Sequence, residues 1–371
     1  MMREMMMTAI LAVLAGCGSA DEAGNRAASV AAPAGPVAMP AAPAGQAMDA
    51  TATDSRAVPV LGAVKTYGDW TVGCDNGGAC MMASLLPEGD VEGSLTMSVT
   101  RDPGLPGAVR IAIATRDQAE ASAVTIDGKP IGGTAQDGKL TGDAAAAIAT
   151  AIANATTMQA RDGKGAAIGT ISLKGASAAL RYIDDRQGRA GTTSAVVAKG
   201  KATTTPPTPA LPVIVALTPG GTVARPSAAQ VTAMKQQADC DLPDGVDMTP
   251  QTAAIGGGKT LVMLPCSTGA YNLSSALFVM DDAGVSPART DAVSGFTEGD
   301  TPGPVAFVVN GDFADGVLTS YAKGRGIGDC GVSQSFVWDG TMLRLSGQEI
   351  MDECRGNTDT IPVWRARVVR R

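Results

Sequence analysis

The chain of 371 residues contains no histidine. That excludes Ser-His-Asp and Cys-His nucleophilic catalysis and removes the commonest zinc ligand and proton shuttle. Aromatic residues are only 3% of the chain against 45% hydrophobic residues, so Ala, Val, Leu, Ile and Met must fill any core. A basic stripe is missing too: 29 Lys and Arg face 36 Asp and Glu, for a net charge of −7. Nucleic acid is therefore not an expected partner, because its phosphates select clustered cations. Beyond the N-terminal segment no apolar run reaches the roughly 18 residues that a membrane-crossing helix needs. No Cys-x-x-Cys occurs, and no metal, cofactor or catalytic residue is assigned.

What is present begins at the N-terminus. Arg3 gives a small positive start, Thr8 to Leu14 form a short apolar run, and small residues follow. The pattern is that of a secretory signal, too short to span a bilayer. Leu14-Ala15-Gly16-Cys17 resembles the lipobox of bacterial lipoproteins, in which the cysteine is lipidated and becomes the mature N-terminus. That resemblance implies a signal peptide over 1–16, lipidation at Cys17 and a membrane partner reached through a lipid anchor. Gly18 is not the aspartate that resembles an inner-membrane retention signal, so the expected location is the periplasmic face of the outer membrane. Removing Met1–Gly16 leaves the charge at −7, since Arg3 and Glu4 cancel.

Setting Cys17 aside leaves Cys74, Cys80, Cys240, Cys266, Cys330 and Cys354, an even number in a disulfide-permissive compartment. Six cysteines allow 15 pairings; the expected set is the sequential one, each pair inside one proposed domain. Chain entropy gives about 2–2.5 kcal/mol for Cys74–Cys80 and about 3.5 kcal/mol for each of the other two.

The chain is long enough for two cores of about 100–200 residues each. Residues 17–60, rich in Ala, Pro, Gly and Ser, cannot repay their ordering entropy and read as a tether spanning roughly 35–40 Å. Residues 61–200 read as a β-rich domain. Tyr67–Cys74 alternates as one strand, further strands follow from Gly78, Ser94, Val109, Ala121, Thr156 and Ala166, and helices are expected from Gly142-Asp143, with Asp143 as N-cap, and over Ala176 to Arg186. Residues 201–212 form a Thr/Pro linker. Residues 213–371 read as a second β-rich domain. It has a helix near Pro226 and strands at Thr260–Pro265, Asn272–Asp281, Val305–Val309, Val317–Ala322, Ser333–Trp338, Met342–Ser346 and Val363–Val369. The expected fold class is α+β, mainly antiparallel β, with one or two covering helices per domain and disulfide staples.

Several clusters invite chemistry. Gly256-Gly-Gly-Lys-Thr260 suggests a phosphate loop, but that motif needs glycine where Ala253 stands and a helix after Thr260, where a strand is expected. Asp239, Asp241, Asp244 and Asp247, and again Asn310, Asp312 and Asp315, lack calcium-loop spacing and read as solvated turns. Asp184 and Asp185 with Arg181, Arg186 and Arg189 suggest local ion pairs at a helix end. Arg365, Arg367, Arg370 and Arg371 suggest the wet face of an edge strand. The densest composite is Gly324–Gly331, then Trp338-Asp-Gly340, then Cys354-Arg-Gly356. A Cys330–Cys354 bond would gather Arg325, Asp329, Asp352 and Arg355, either as a ligand-recognising loop pair or as a stapled corner whose charges satisfy one another.

The segments KTYGDWTVGCDNGGAC (65–80), ALRYIDDRQGRAGT (179–192) and GRGIGDCG–FVWDG–CRG (324–356) resemble the proteobacterial exported family known as domain of unknown function 1176. The resemblance covers about residues 65–371 and implies a periplasmic or envelope-bound protein with no assigned activity. The Gly-Asp-Trp-x-Val-x-Cys opening also resembles the invasion-associated locus B family, over the first domain alone. The expected function is a lipid-anchored envelope protein that binds an envelope protein or glycan and is not an enzyme. The alternatives are an inhibitor of an envelope hydrolase such as lysozyme, and a carboxylate glycan hydrolase.

Overall fold

The first half of the chain is built from short strands broken by glycine-bearing turns. They are β1 (Val64–Tyr67), β2 (Trp70–Cys74), β3 (Cys80–Ser84), β4 (Leu95–Arg101), β5 (Val109–Thr115), β6 (Ala123–Ile126), β7 (Lys129–Ile131) and β8 (Lys139–Thr141). Helix α1 (Gly142–Ile152), β9 (Thr157–Arg161), β10 (Ala167–Ser172) and helix α2 (Ala176–Arg186) complete it. This computed structural model describes residues 53–90, 95–115, 120–204, 208–243, 245, 247, 249–295 and 303–371. The signal segment, Cys17 and the tether up to residue 52 lie outside the described residues.

Six strands form an antiparallel sheet in the order β1-β2-β3-β4-β5-β8, and four more form a second sheet, β10-β9-β6-β7. Between them lies a core of Trp70, Met82, Met97, Ile111 and Met158, closed by the buried faces of the two helices. Ala145, Ile148, Ala149 and Ile152 of α1 recur at helical spacing, so one turn-by-turn stripe is buried. Asp143 sits in the first turn of α1, and Thr141 is the N-cap residue, which corrects the expected cap. The expected single strand over Tyr67–Cys74 is a hairpin instead: Gly68, at φ +60°, turns the chain between β1 and β2.

The second half comprises β11 (Val213–Ala216), α3 (Ala228–Gln237), β12 (Gln251–Gly256), β13 (Lys259–Thr268), β14 (Leu273–Asp281), β15 (Gly284–Pro287), β16 (Phe307–Val309) and β17 (Asp312–Ala314). It continues through β18 (Val317–Lys323), β19 (Gly331–Trp338), β20 (Leu343–Met351), β21 (Ile361–Arg365) and β22 (Arg367–Arg370). One sheet runs β12-β13-β14-β15 with β16 also on β14, and another runs β17-β18-β19-β20-β21. Phe336, Leu318, Leu277 and Trp364 lie in the core between them. Helix α3 covers the far face of β13 and β14 through Met234, and Ser227 and Gln230 close its start as a capping box. The glycine triplet 256–258 is the turn between β12 and β13, not a phosphate loop.

The fold is therefore α+β and mainly antiparallel, the parallel pair β11–β22 excepted. All three sequential disulfides are present: Cys74–Cys80, Cys240–Cys266 and Cys330–Cys354. No helix among the described residues is long and apolar enough to cross a membrane.

The two halves are pressed together within one compact unit. β2 is buried on both faces, one towards the first core and one towards β21. Gly73 makes that approach feasible, since a Cβ there would stand 2.7 Å from Ile361 Cγ2. A small shared cluster of Ala83, Leu85, Cys330, Met351 and Ile361 spans the junction. The end of the tether and the start of the first half are tied down as well: Asp54 pairs with Arg344 at 3.3 Å, Ser55 N donates to Val213 O, and Gly62 N donates to Val363 O. The linker also rests on the first half, where Ala202 bridges to Thr192.

The expected edge strand over Val363–Val369 breaks at Ala366 into β21 and β22, and its arginines are not simply solvated. Arg365 binds the buried carboxylate of Asp75, and Arg370 donates to the carbonyls of Leu217, Asp315 and Gly316.

Candidate functional site

The composite singled out in the sequence is a stapled corner. The loop between β18 and β19 carries Arg325 and Asp329; the loop between β20 and β21 carries Asp352, Arg355 and Asn357. The Cys330–Cys354 bond joins the two loops. Gly324 is needed for that closure, because a Cβ there would stand 2.6 Å from Cys330 Sγ.

The carboxylate of Asp329 is fully buried and takes a two-pronged bond from the Arg325 guanidinium plus one from the Gly356 backbone N–H at 2.6 Å. Burial pushes this carboxyl up, but the Arg325 hydrogen bonds, the Gly356 amide and the Arg325 charge outweigh it. The net value lies below the usual carboxylate range. The same bond raises Arg325. Tyr321, whose hydroxyl donates to Gly328 O at 2.6 Å, is pushed up by burial and then by the Asp329 charge.

Arg355 turns away from that pair. It donates to Leu86 O at 2.8 Å, Gly68 O at 3.1 Å and the Asp69 carboxylate, all in the first half. Asn357, fully buried, donates to Ser84 O at 2.8 Å, and Asp359 accepts from the Ser98 hydroxyl. So the structure unites Arg325 with Asp329, sends Arg355 into the junction, and leaves Asp352 exposed on the second loop. What this corner can do chemically is hold: its charges brace a loop and bolt two cores together. The loop also exposes apolar surface, with Ile327 58% exposed and Tyr271 53% exposed beside it. Tyr271 packs close to Gly326, where a Cβ would stand 2.9 Å from its ring. Tyr271 and Ile327 carried no sequence signal, since lone exposed apolar residues are common.

The charges at the end of α2 behave differently from the expected local pairs. Asp184 is fully buried and pairs with Arg101 of β4 at 2.9 Å. It also accepts the backbone N–H groups of Val196, Val197 and Ala198, which fastens the segment after the helix. Arg189, also fully buried, donates to Gln187, to Ser194 and to the Gly104 carbonyl. Burial and then the Arg189 charge bring Arg101 down to about 10, against the opposing pull of Asp184.

With Asp184 turned inward, Arg181, Tyr182, Asp185 and Arg186 face β1 across an open groove of about 560 Å³ that Lys65 and Tyr67 also line. The Tyr67 and Tyr182 ring centroids are 6.4 Å apart with an interplanar angle of 51°, and Lys65 Nζ lies 5.5 Å from the Tyr182 centroid. This groove is not legible in the sequence, because its two walls are more than a hundred residues apart.

Among the described residues no group of three or more His, Cys, Asp or Glu side chains is arranged to hold a metal ion. Asp244 of the first acidic run lies outside the described residues. Asn310 of the second serves the fold, bonding Leu273 N, Asn272 Oδ1 and Tyr321 O.

A chain of two cores, three disulfides and a stapled corner matches the family model "Protein of unknown function (DUF1176)" over residues 64–370. The chain belongs to that family. It is similar to the uncharacterized protein YpfG of Escherichia coli (strain K12), 26% identical over 310 residues that cover 76% of this chain and 86% of YpfG. No solved structure matches. The comparisons bear on the first of the two family resemblances and not on the second.

Proposed function

We propose that this is a lipid-anchored protein of the cell envelope, held at the periplasmic face of the outer membrane and working as a binding module. The observation that carries the reading is the cysteine count: the three disulfides use six of the seven cysteines and leave Cys17, at the end of the lipobox-like segment, as the seventh. Stable disulfides suit an oxidising compartment, and several acyl chains on one cysteine would anchor firmly where a single chain holds only marginally. Mass spectrometry of the mature N-terminus, with detergent-phase partitioning, tests it. An acylated Cys17 start, lost with Cys17→Ser, is expected; a mature chain beginning elsewhere overturns the anchor.

The inhibitor reading rests on one specific observation. The loop that exposes Ile327 is braced by the Arg325–Asp329 pair, the Cys330–Cys354 bond and the Tyr321–Gly328 hydrogen bond. A pre-ordered loop with an apolar tip costs little entropy on docking into a protein cleft. Lysozyme inhibition by the purified chain, abolished by Ile327→Asp with an unchanged melting temperature, would support it; no inhibition removes it.

A further inference from the structure

The groove between β1 and α2 has a composition that the stapled corner lacks. Among the described residues, no carboxylate lies within 4 Å of the charged nitrogens of Lys65, Arg181 or Arg186. Arg101, Arg110, Arg325, Arg344, Arg355 and Arg365 each pair with an aspartate, whereas Arg161, Arg225, Arg289, Arg367 and Arg371 share the groove cations' lack of one among the described residues; what sets the groove apart is that its three line one concavity. The groove thus carries three cations against Asp185, on a chain whose overall charge is −7. Its volume of about 560 Å³ falls within the range of small-molecule sites.

We propose that this groove binds an acidic amino sugar, that is, a short glycan bearing a carboxylate. Each part of the lining answers one part of that ligand. The Arg181 and Arg186 guanidinium groups and the Lys65 ammonium suit a carboxylate, arginine through its two-pronged geometry. The half-buried rings of Tyr67 and Tyr182 offer apolar surface to a pyranose, with the Tyr182 hydroxyl donating to Ala63 O at 3.4 Å and Lys65 Nζ over the Tyr182 ring. Asp185 favours a saccharide: it can only accept hydrogen bonds, so a sugar hydroxyl or acetamido N–H gives it a partner that a fully ionised phosphate does not. A concave groove also fits a compact saccharide better than a flat bilayer. The helix supplies the spacing: Ala178, Tyr182 and Arg186 form one row along α2, Ala178, Arg181 and Asp185 the next, and the small Ala178 leaves the floor open.

The inference deepens the envelope-binding reading by naming a ligand class, and its test needs no membrane, so failure of one is distinguishable from failure of the other. The full chain carrying Cys17→Ser is titrated by calorimetry with the disaccharide of N-acetylglucosamine and its 3-O-lactyl, carboxylate-bearing derivative. Di-N-acetylchitobiose is the neutral control, and phosphatidylglycerol vesicles test the lipid alternative. Expected are a dissociation constant in the millimolar range or tighter for the acidic disaccharide and binding about 10-fold weaker for the neutral one, the worth of one charge-assisted contact. Arg181→Gln with Arg186→Gln should weaken the acidic disaccharide at least about 5-fold, and Asp185→Ala, which removes the acceptor, should weaken the neutral sugar. Equal affinity for the two sugars, no loss in the variants, or vesicle binding through the same arginines without sugar binding would each overturn the proposal.

Discussion

The stapled corner and the β1–α2 groove are both clusters of arginine and aspartate, and they spend their charges in opposite ways. In the corner the charges close on the protein itself: Asp329 is enclosed by Arg325 and the Gly356 amide, and Arg355 is consumed by three acceptors of the first half. In the groove Lys65, Arg181 and Arg186 stand open to a concave surface. A cluster dense in glycine, cysteine and charge attracts attention in a sequence, yet glycine and cysteine are the residues with which a chain fixes tight loops. The cluster with ligand-facing charge lies instead on an ordinary helix and a short edge strand.

That contrast can be broken at its deepest point first. Asp184 belongs to the inward-facing class, and Asp184→Asn removes the counter-charge of the buried Arg101 and weakens the bonds to Val196, Val197 and Ala198. Breaking a buried pair on one side costs about 3–5 kcal/mol, so a fall in melting temperature of roughly 10 °C is expected by calorimetry. A change under 2 °C would show that the helix-end charges are not structural after all.

The next effect is at the staple. Replacing Cys330 and Cys354 together by Ser should cost about 3.5 kcal/mol by chain entropy and raise amide exchange in residues 325–328. Exchange in α2 around Tyr182 should stay as it was, because α2 packs on the first core, whereas Val64 of β1 adjoins the Cys330 cluster. Exchange rising equally at both places would merge the two regions into one cooperative unit.

Much of this architecture was legible in the chain. The short strands between glycine and aspartate turns, the alanine-rich α1 and the parity of the cysteines all act locally, through neighbours in sequence or through counting. What stayed hidden depends on partners far apart. Asp184 reads as one member of a local Asp-Asp-Arg run until β4 supplies Arg101, 83 residues away. Arg355 reads as a loop charge until Asp69 meets it from 286 residues away. Gly73 looks like strand punctuation, although its role is to admit Ile361. Composition cannot reveal a junction whose two faces are each sealed only by the other.

Acidity separates the enclosed carboxylates from one another. The folded value of Asp329 lies below its ordinary 3.8, so its contribution is present above that pH and is lost as pH falls through the folded value. Asp329→Asn should therefore flatten the acid limb of the stability curve below about pH 4. Glu349 has the opposite sign. Burial first, and the Asp359 charge with it, raise its carboxyl against the pull of the Thr360 hydroxyl. Its favourable contribution is present below its ordinary 4.5 and fades as pH rises through the raised value. Melting followed from about pH 3 to pH 7 should show Glu349→Gln gaining on the parent as pH rises; parallel curves would remove both carboxylates from the acid response.

The smallest effect is the sharpest test of the comparison, because it sets two arginines side by side. Arg325→Gln withdraws the fork from a buried carboxylate, and since the arginine side chain is 41% exposed the loss is discounted to about 1 kcal/mol. Arg181→Gln removes a cation that has no carboxylate within 4 Å among the described residues, so its effect on stability should stay within about 0.5 kcal/mol. Denaturant unfolding resolves that difference. Equal losses would mean that Arg181 is already committed to holding the fold, and a residue so committed is not available to a ligand. A silent Arg181→Gln that still weakens sugar binding would place the two clusters on opposite sides of the line between structure and recognition.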